Sequence, residues 1–200
     1  MLLVRHGETD WNRAGRIQGH TDVCLNELGH RQARALATAL EDEVLDAIVS
    51  SDLQRAIQTA GPLARARELA IELDAGLRER CFGAYEGMDW TAIERQSASD
   101  AQRWRQREPD FAPGGGESLR QFSARVLGAV QRFCSDHAGQ SVAVITHGGV
   151  LDCLFRAASR LDLQQGRTWV LGNASINRLL WTPEGFTLVG WGDVRHLEDI

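Results

Sequence analysis

Arg5-His6-Gly7-Glu8-Thr9 places an imidazole between a guanidinium and a glycine, directly after the apolar run Leu2-Leu3-Val4. A neutral imidazole is a competent nucleophile toward phosphorus near neutral pH, and the phosphoramidate it forms is labile enough to turn over. A neighbouring arginine screens an incoming anion, and a glycine lets the backbone approach a phosphate closely. A lone histidine at a strand end is more often satisfied by backbone, so His6 needs company. Three further groups suited to phosphate chemistry follow short apolar runs elsewhere: Arg55 in Ser51-Asp52-Leu53-Gln54-Arg55, Glu79 in Arg78-Glu79-Arg80, and His147 in Thr146-His147-Gly148. By itself, Arg55 reads equally well as a surface helix ion pair, and His147 as a satisfied residue at a helix start.

These groups have to be delivered by secondary structure. Residues 2–5 read as a buried strand ending at Arg5-His6-Gly7. Residues 27–41 set Leu28, Ala35, Leu36, Ala39 and Leu40 at helical spacing, with Asn26 as N-cap. Ala47-Ile48-Val49 reads as a second strand, and Asp52 as the cap of a helix running from Leu53 toward Pro62 and continuing beyond it with a kink. Ile71-Glu72-Leu73 reads as a third strand. Residues 90–108 are polar, Arg-rich and weakly periodic, the pattern of a solvated helical excursion. Pro113-Gly114-Gly115-Gly116 is a strong breaker, after which Ser118 caps a helix over 119–134. The run 141–146 is the clearest buried strand and leads into a helix over 150–159. Ile176–Trp181 and Phe186–Trp191 flank Thr182-Pro183-Glu184-Gly185, a hairpin signal.

This alternation predicts an α/β fold: a three-layer sandwich with a mainly parallel central sheet flanked by helices. One domain over 1–200 is expected, with a helical insertion at about 82–118 near the active-site rim. Ligands of open α/β sheets bind beyond the carboxyl ends of the strands. His6, Arg55, Glu79 and His147 all follow strands, so four strand ends offer groups to one site.

Composition narrows the chemistry. The 200 residues are 43% hydrophobic and carry a formal net charge of -5. That suits one full core and argues against a nucleic-acid or anionic-membrane partner, which a net basic surface would hold. All 22 basic residues are arginine. Schiff-base chemistry on lysine and a Walker-type loop are therefore excluded, whereas bidentate grip of a phosphate is not. Cys24, Cys81, Cys134 and Cys153 are scattered without a C-x-x-C pair, which fits a reducing compartment. There is no basic leader with a long apolar stretch, so a cytoplasmic location is expected, without a membrane span. No HExxH or HxxEH spacing appears, and neither a metal nor a cofactor is expected. No feature assigns an oligomeric state.

The chain resembles the histidine phosphatase superfamily, in the branch shared with cofactor-dependent phosphoglycerate mutases. RHGETDWNRAGRIQGHTDVCLNELGHRQA over 5–33 resembles the family's opening, SSDLQRAIQTA at 50–60 its second block and LRERCFGAYEG at 77–87 its third. PGGGES at 113–118 and ITHGGV at 145–150 resemble the fourth and fifth. The resemblance implies His6 as nucleophile, with Arg5, Arg55 and His147 surrounding the phosphoryl group and meeting charge on its equatorial oxygens. It implies Glu79 as general acid, ahead of Glu8 and Glu86. A carboxyl group beside a dianionic phosphate is expected to hold its proton more tightly, which suits donation. Asn12, Gln18 and Gly19 line the substrate side by the same resemblance, with Gly148 as a minor contact. Cys24 stands where the family commonly has proline, which bears on the rigidity of that loop.

The activity implied is hydrolysis of small phosphorylated metabolites through phosphohistidine. A cofactor-dependent phosphoglycerate mutase shares the same groups but is typically longer, with an insertion rich in basic residues. A phospho-ligand binder without catalysis would have lost His6, Glu79 or an arginine. Sugar phosphates, phosphoglycerate, an α-ribazole phosphate and broad monoester activity all fit an arginine-lined pocket.

Overall fold

The computed structural model describes residues 1–200. Strands β1 (Leu2–Arg5), β2 (Ala47–Ser50), β3 (Ile71–Leu73), β4 (Val142–Thr146), β5 (Ile176–Thr182) and β6 (Gly185–Asp193) form one sheet in the order β3-β2-β4-β1-β5-β6. Pairings β3–β2, β2–β4 and β4–β1 are parallel, whereas β5 runs antiparallel to both β1 and β6. The helices are α1 (Asp10–Arg13), α2 (Glu27–Ala39), α3 (Gln54–Arg67), α4 (Trp90–Gln96), α5 (Ala98–Arg105), α6 (Leu119–Asp136) and α7 (Gly148–Ser159).

The central strands are apolar on both sides because both sides are covered, as parallel strands require. Leu3, Val49 and Val144 point to one face and pack with Phe122, Val126 and Val130 of α6 and Leu151 and Leu154 of α7. Leu2, Val4, Ile48 and Ile145, one residue out of step, point to the other face and meet Leu36 of α2 and Ala56, Ala60 and Leu63 of α3. The period of two in the strands thus creates the three layers. Leu154 is fully buried, so Leu154→Ala is expected to cost about 2–5 kcal/mol. No helix is long and apolar enough to cross a membrane.

Two expectations are corrected. Asp52 does not cap α3: Leu53 occupies the cap position without a side-chain bond, and Asp52 instead takes a bidentate grip from Arg78 at 2.7 and 2.5 Å. A planar guanidinium matches a carboxylate better than one backbone N–H does. The segment 90–108 is not simply solvated. Its two short helices close over Tyr85, Ile93 and Ala101, with Phe82, Trp90 and Trp104 packed against them. α3 continues through Pro62 to Arg67, and α7 begins at Gly148, two residues before the expected start. Asn26 and Ser118 cap their helices as expected.

The glycine-rich breaker has a structural task at the insertion. Gly114 adopts φ +60°, and a Cβ there would sit 2.3 Å from the Phe82 carbonyl. Only a glycine lets this turn dock on the turn that carries Phe82.

Candidate functional site

β1 and β4 lie side by side, and His6 continues their pairing by donating its backbone N–H to Thr146 at 2.8 Å. His6 Nδ1 lies 2.7 Å from the Gly7 carbonyl. A carbonyl only accepts, so Nδ1 carries the proton and Nε2 presents a bare lone pair. The ring is 3% exposed. Burial, reinforced by the Arg55 and Arg5 cations, holds its pKa well below the ordinary 6.5. His6 is therefore neutral at neutral pH, the form a nucleophile needs.

His147 ends β4 and stands at the start of α7, its ring centroid 5.2 Å from that of His6. Its Nε2 lies 2.8 Å from Ser51 Oγ, which also accepts the Leu53 N–H at 3.4 Å. The buried Ser51 hydroxyl has no other acceptor, so it donates to Nε2 and the His147 proton resides on Nδ1. That nitrogen is buried and has no protein partner. Burial and then the Arg55 cation push the His147 pKa well down, leaving a neutral N–H donor.

Arg55, in the first turn of α3, is fully buried. Its Nη1 donates to the Thr21 carbonyl at 3.0 Å and its Nη2 to Gly19 at 2.8 Å. Arg5 reaches only the Leu171 carbonyl. Neither forms an ion pair, and the Nε atoms of both are buried without partners. Burial lowers both pKa values, that of Arg55 to about 10. Buried cations are ordinarily paired, so a buried Arg55 without a carboxylate leaves the site suited to an anion.

Glu79 approaches from the loop after β3. Its Oε1 accepts the Arg80 N–H at 2.8 Å and its Oε2 the Gly149 N–H at 3.0 Å. A Cβ at Gly149 would fall 2.1 Å from Glu79 Oε1, so the close approach depends on glycine. The flanking arginines leave this carboxyl alone. Arg78 is held by Asp52, and the buried Arg80 donates to the Phe111 and Glu117 carbonyls at 2.9 and 2.8 Å.

The rival carboxylates are committed elsewhere. Glu86 accepts from His20 N, Thr21 N, Thr21 Oγ1 and Phe82 N at 2.8–3.0 Å. Burial alone would raise its pKa, but these bonds outweigh it and the net shift is downward. Glu8 accepts from Asn26.

Asn12 lies in α1, shortly after His6, and Gln18 in the loop that follows α1. Asn12 Oδ1 is occupied by Thr9 and by Asn173 Nδ2, which leaves the Asn12 amide nitrogen as a donor. Gln18 is buried and its Oε1 has no partner. Gly19, at φ +54°, contributes the carbonyl that holds Arg55. Gly148 places its Cα side against Arg5, with a Cβ position 3.5 Å from Arg5 Nε. Cys24 does not leave its loop loose, because Leu25 N bonds Gln58 and Gln54 N bonds Asp22 on either side of the chain crossing.

Three contacts here carry no spacing signal. Asn173 donates to the His6 and Gly7 carbonyls at 2.9 and 3.2 Å, Thr59 accepts the Gly7 N–H at 2.9 Å, and Ser51 holds His147. Beyond Arg5, Glu79 and Gly148 a cavity of about 540 Å³ opens between the insertion and residues 163–171. His6, Arg55 and His147 do not line it. No three His, Cys, Asp or Glu side chains converge as metal ligands.

The chain is 36% identical, over its whole length, to two Arabidopsis thaliana proteins, a phosphoglycerate mutase-like protein 4 and a metal-independent phosphoserine phosphatase, covering 87% and 84% of them. Its fold superimposes on Bacillus stearothermophilus YhfR with a TM-score of 0.92, at 33% identity and 98% coverage of each chain. It superimposes on a mycobacterial glucosyl-3-phosphoglycerate phosphatase, solved with VO3, with a TM-score of 0.85, at 30% identity and coverage of 97% and 99%. The model of the histidine phosphatase superfamily (branch 1) matches residues 1–194. A neutral histidine beside two guanidiniums without carboxylate partners, at the carboxyl ends of a mainly parallel sheet, thus sits in a chain that belongs to branch 1 of the histidine phosphatase superfamily.

Proposed function

We propose that the chain is a metal-independent phosphomonoester hydrolase acting on small phosphorylated metabolites through a phosphohistidine at His6. The observation that carries this reading is the pairing of a neutral His6, its Nε2 lone pair free, with two arginines, Arg55 buried and Arg5 half-buried, that lack carboxylate partners. Arg5, Arg55 and the His147 Nδ1–H would receive the three equatorial oxygens, with the amide of Asn12 and the side chain of Gln18 as further contacts and Gly19 and Gly148 supplying backbone at close quarters.

His6 Nε2 forms the N–P bond as the ester P–O bond breaks, and Glu79 gives its proton to the departing alkoxide. Glu79 then takes a proton from water, which attacks phosphorus, breaks the N–P bond and releases inorganic phosphate. Its two backbone donors fix the carboxyl so that no search precedes either transfer. The four free cysteines support the cytoplasmic reading.

The mutase-like relative keeps a second acceptor in view, a bound phosphoglycerate instead of water. Wild type and His6→Ala should therefore be assayed on a panel of phosphomonoesters in chelator, and on 3-phosphoglycerate isomerisation with bisphosphoglycerate. Hydrolysis lost in His6→Ala, with an acid-labile label trapped on wild type, is the expected result. Rapid isomerisation by wild type would replace the hydrolase with a mutase, and full hydrolysis by His6→Ala would remove the nucleophile.

A further inference from the structure

The cavity beyond Glu79 is where a leaving alcohol would go, because Arg5, Gly148 and the proton donor Glu79 line it while His6, Arg55 and His147 do not. This step rests on the hydrolase reading above. One wall carries Phe82 stacked on Trp104 at 4.9 Å, from the insertion. Trp169, backed by Phe155 at 4.1 Å, stands on a different segment, and Phe122 of α6 and Leu171 add further apolar surface. At roughly 30 Å³ per water-sized group, about 540 Å³ holds on the order of 18 such groups. That is more than the carbon skeleton of serine or glycerate fills.

Of the four arginines in the lining, Arg107 alone is paired with a carboxylate, and exposed Arg167 makes no ion pair. Arg107 is bound to Asp152 at 2.9 Å and to the Leu163 carbonyl at 2.8 Å, and Arg80 serves the Phe111 and Glu117 carbonyls. A leaving group as small as serine or glycerate would leave the aromatic walls wet. A flat ring would cover them, with offset or edge contacts of the kind those walls already make among themselves.

We infer that this cavity is a leaving-group subsite for a flat, ring-bearing alcohol larger than serine or glycerate. Trp104 and Trp169 are its specificity-determining residues.

2-Phenylethyl phosphate and ethyl phosphate release alcohols of similar acidity, so their comparison reports the ring and not the chemistry. The expected kcat/KM ratio in favour of the phenylethyl ester is about 30-fold, the order for taking one ring out of water. Trp104→Leu and Trp169→Leu should each reduce that ratio at least about 5-fold, by loss of part of the same contact. The ratio is internal to one preparation and is unaffected by a partly misfolded fraction. Binding of 2-phenylethylphosphonate against ethylphosphonate, followed by tryptophan fluorescence, should show the same preference without turnover.

Equal kcat/KM and equal Kd for each pair would overturn the subsite, as would phosphoserine or 3-phosphoglycerate outpacing the phenylethyl ester. If no ester is hydrolysed but the phosphonate preference stands, the hydrolase reading fails and the subsite survives.

Discussion

Two populations of arginine coexist in this chain. At the surface, Arg13, Arg103, Arg120 and Arg195 reach Asp10, Glu108, Asp110 and Asp193 at 2.6–2.8 Å. At the sheet end, Arg55 is buried and Arg5 half-buried, and both donate only to backbone carbonyls. The side chain is the same; what differs is whether the fold supplies a carboxylate. Exposed pairs are screened by water and contribute little, whereas a buried unpaired cation is costly and has to be compensated by a ligand. The site is made as much by carboxylates withheld as by cations supplied.

The comparison can be tested where it predicts most. Arg55→Ala should lower kcat/KM for any hydrolysed ester about 10³-fold, as expected for removing a fixed donor to developing charge. Arg120→Ala should change it less than about 2-fold; comparable losses in steady-state kinetics would dissolve the distinction. Next in size is the response to anion. Inorganic phosphate at about 100 times its Kd should stabilise wild type by about 2.7 kcal/mol, raising Tm by roughly 5–10 °C in a thermal melt. Arg55→Ala should lose that rise and Arg120→Ala should keep it.

The histidines between the two arginines give a pH signature. His6 and His147 have folded pKa values below 6.5. Below pH 6.5 the unfolded chain therefore binds protons that the folded chain does not. Stability is fully present above 6.5 and falls as pH drops toward the folded values, by up to about 1.4 kcal/mol per pH unit for each histidine. Urea titrations at pH 7.5 and 5.5 should show this, and His6→Asn should flatten it; an unchanged slope would mean His6 is charged in the fold. The smallest effect is that of Ser51→Ala, expected to lower kcat about 20-fold with little change in KM, by loosening the tautomer that donates from Nδ1. Ser51→Thr should restore it, and the ¹⁵N shifts of the His147 ring report the proton's position directly.

Much of this was legible in the chain, for identifiable reasons. The central strands announce themselves because burial on both faces makes them continuous apolar runs, and the residues at their ends inherit a position from topology alone. The partner of Arg55 was not legible. Asp52 lies three residues before it and is an obvious candidate, yet the fold gives Asp52 to Arg78 and leaves Arg55 bare. The excursion over 90–108 hid its core because Phe82, the Trp90–Ile93 pair of α4 and Trp104 of α5 belong to three short segments too brief to show a period. The Ser51–His147 contact joins residues 96 apart in sequence, a separation at which only folding makes them neighbours.

Glu86 carries one further consequence. Its carboxylate ties the backbone of residues 20 and 21, beside the carbonyls that hold Arg55, to the backbone of Phe82 at the cavity wall. The rim is thus fastened when the chain folds, before any substrate arrives. This part of the rim is expected to stay in place through turnover, so that solvent viscosity leaves kcat nearly untouched in steady-state assays.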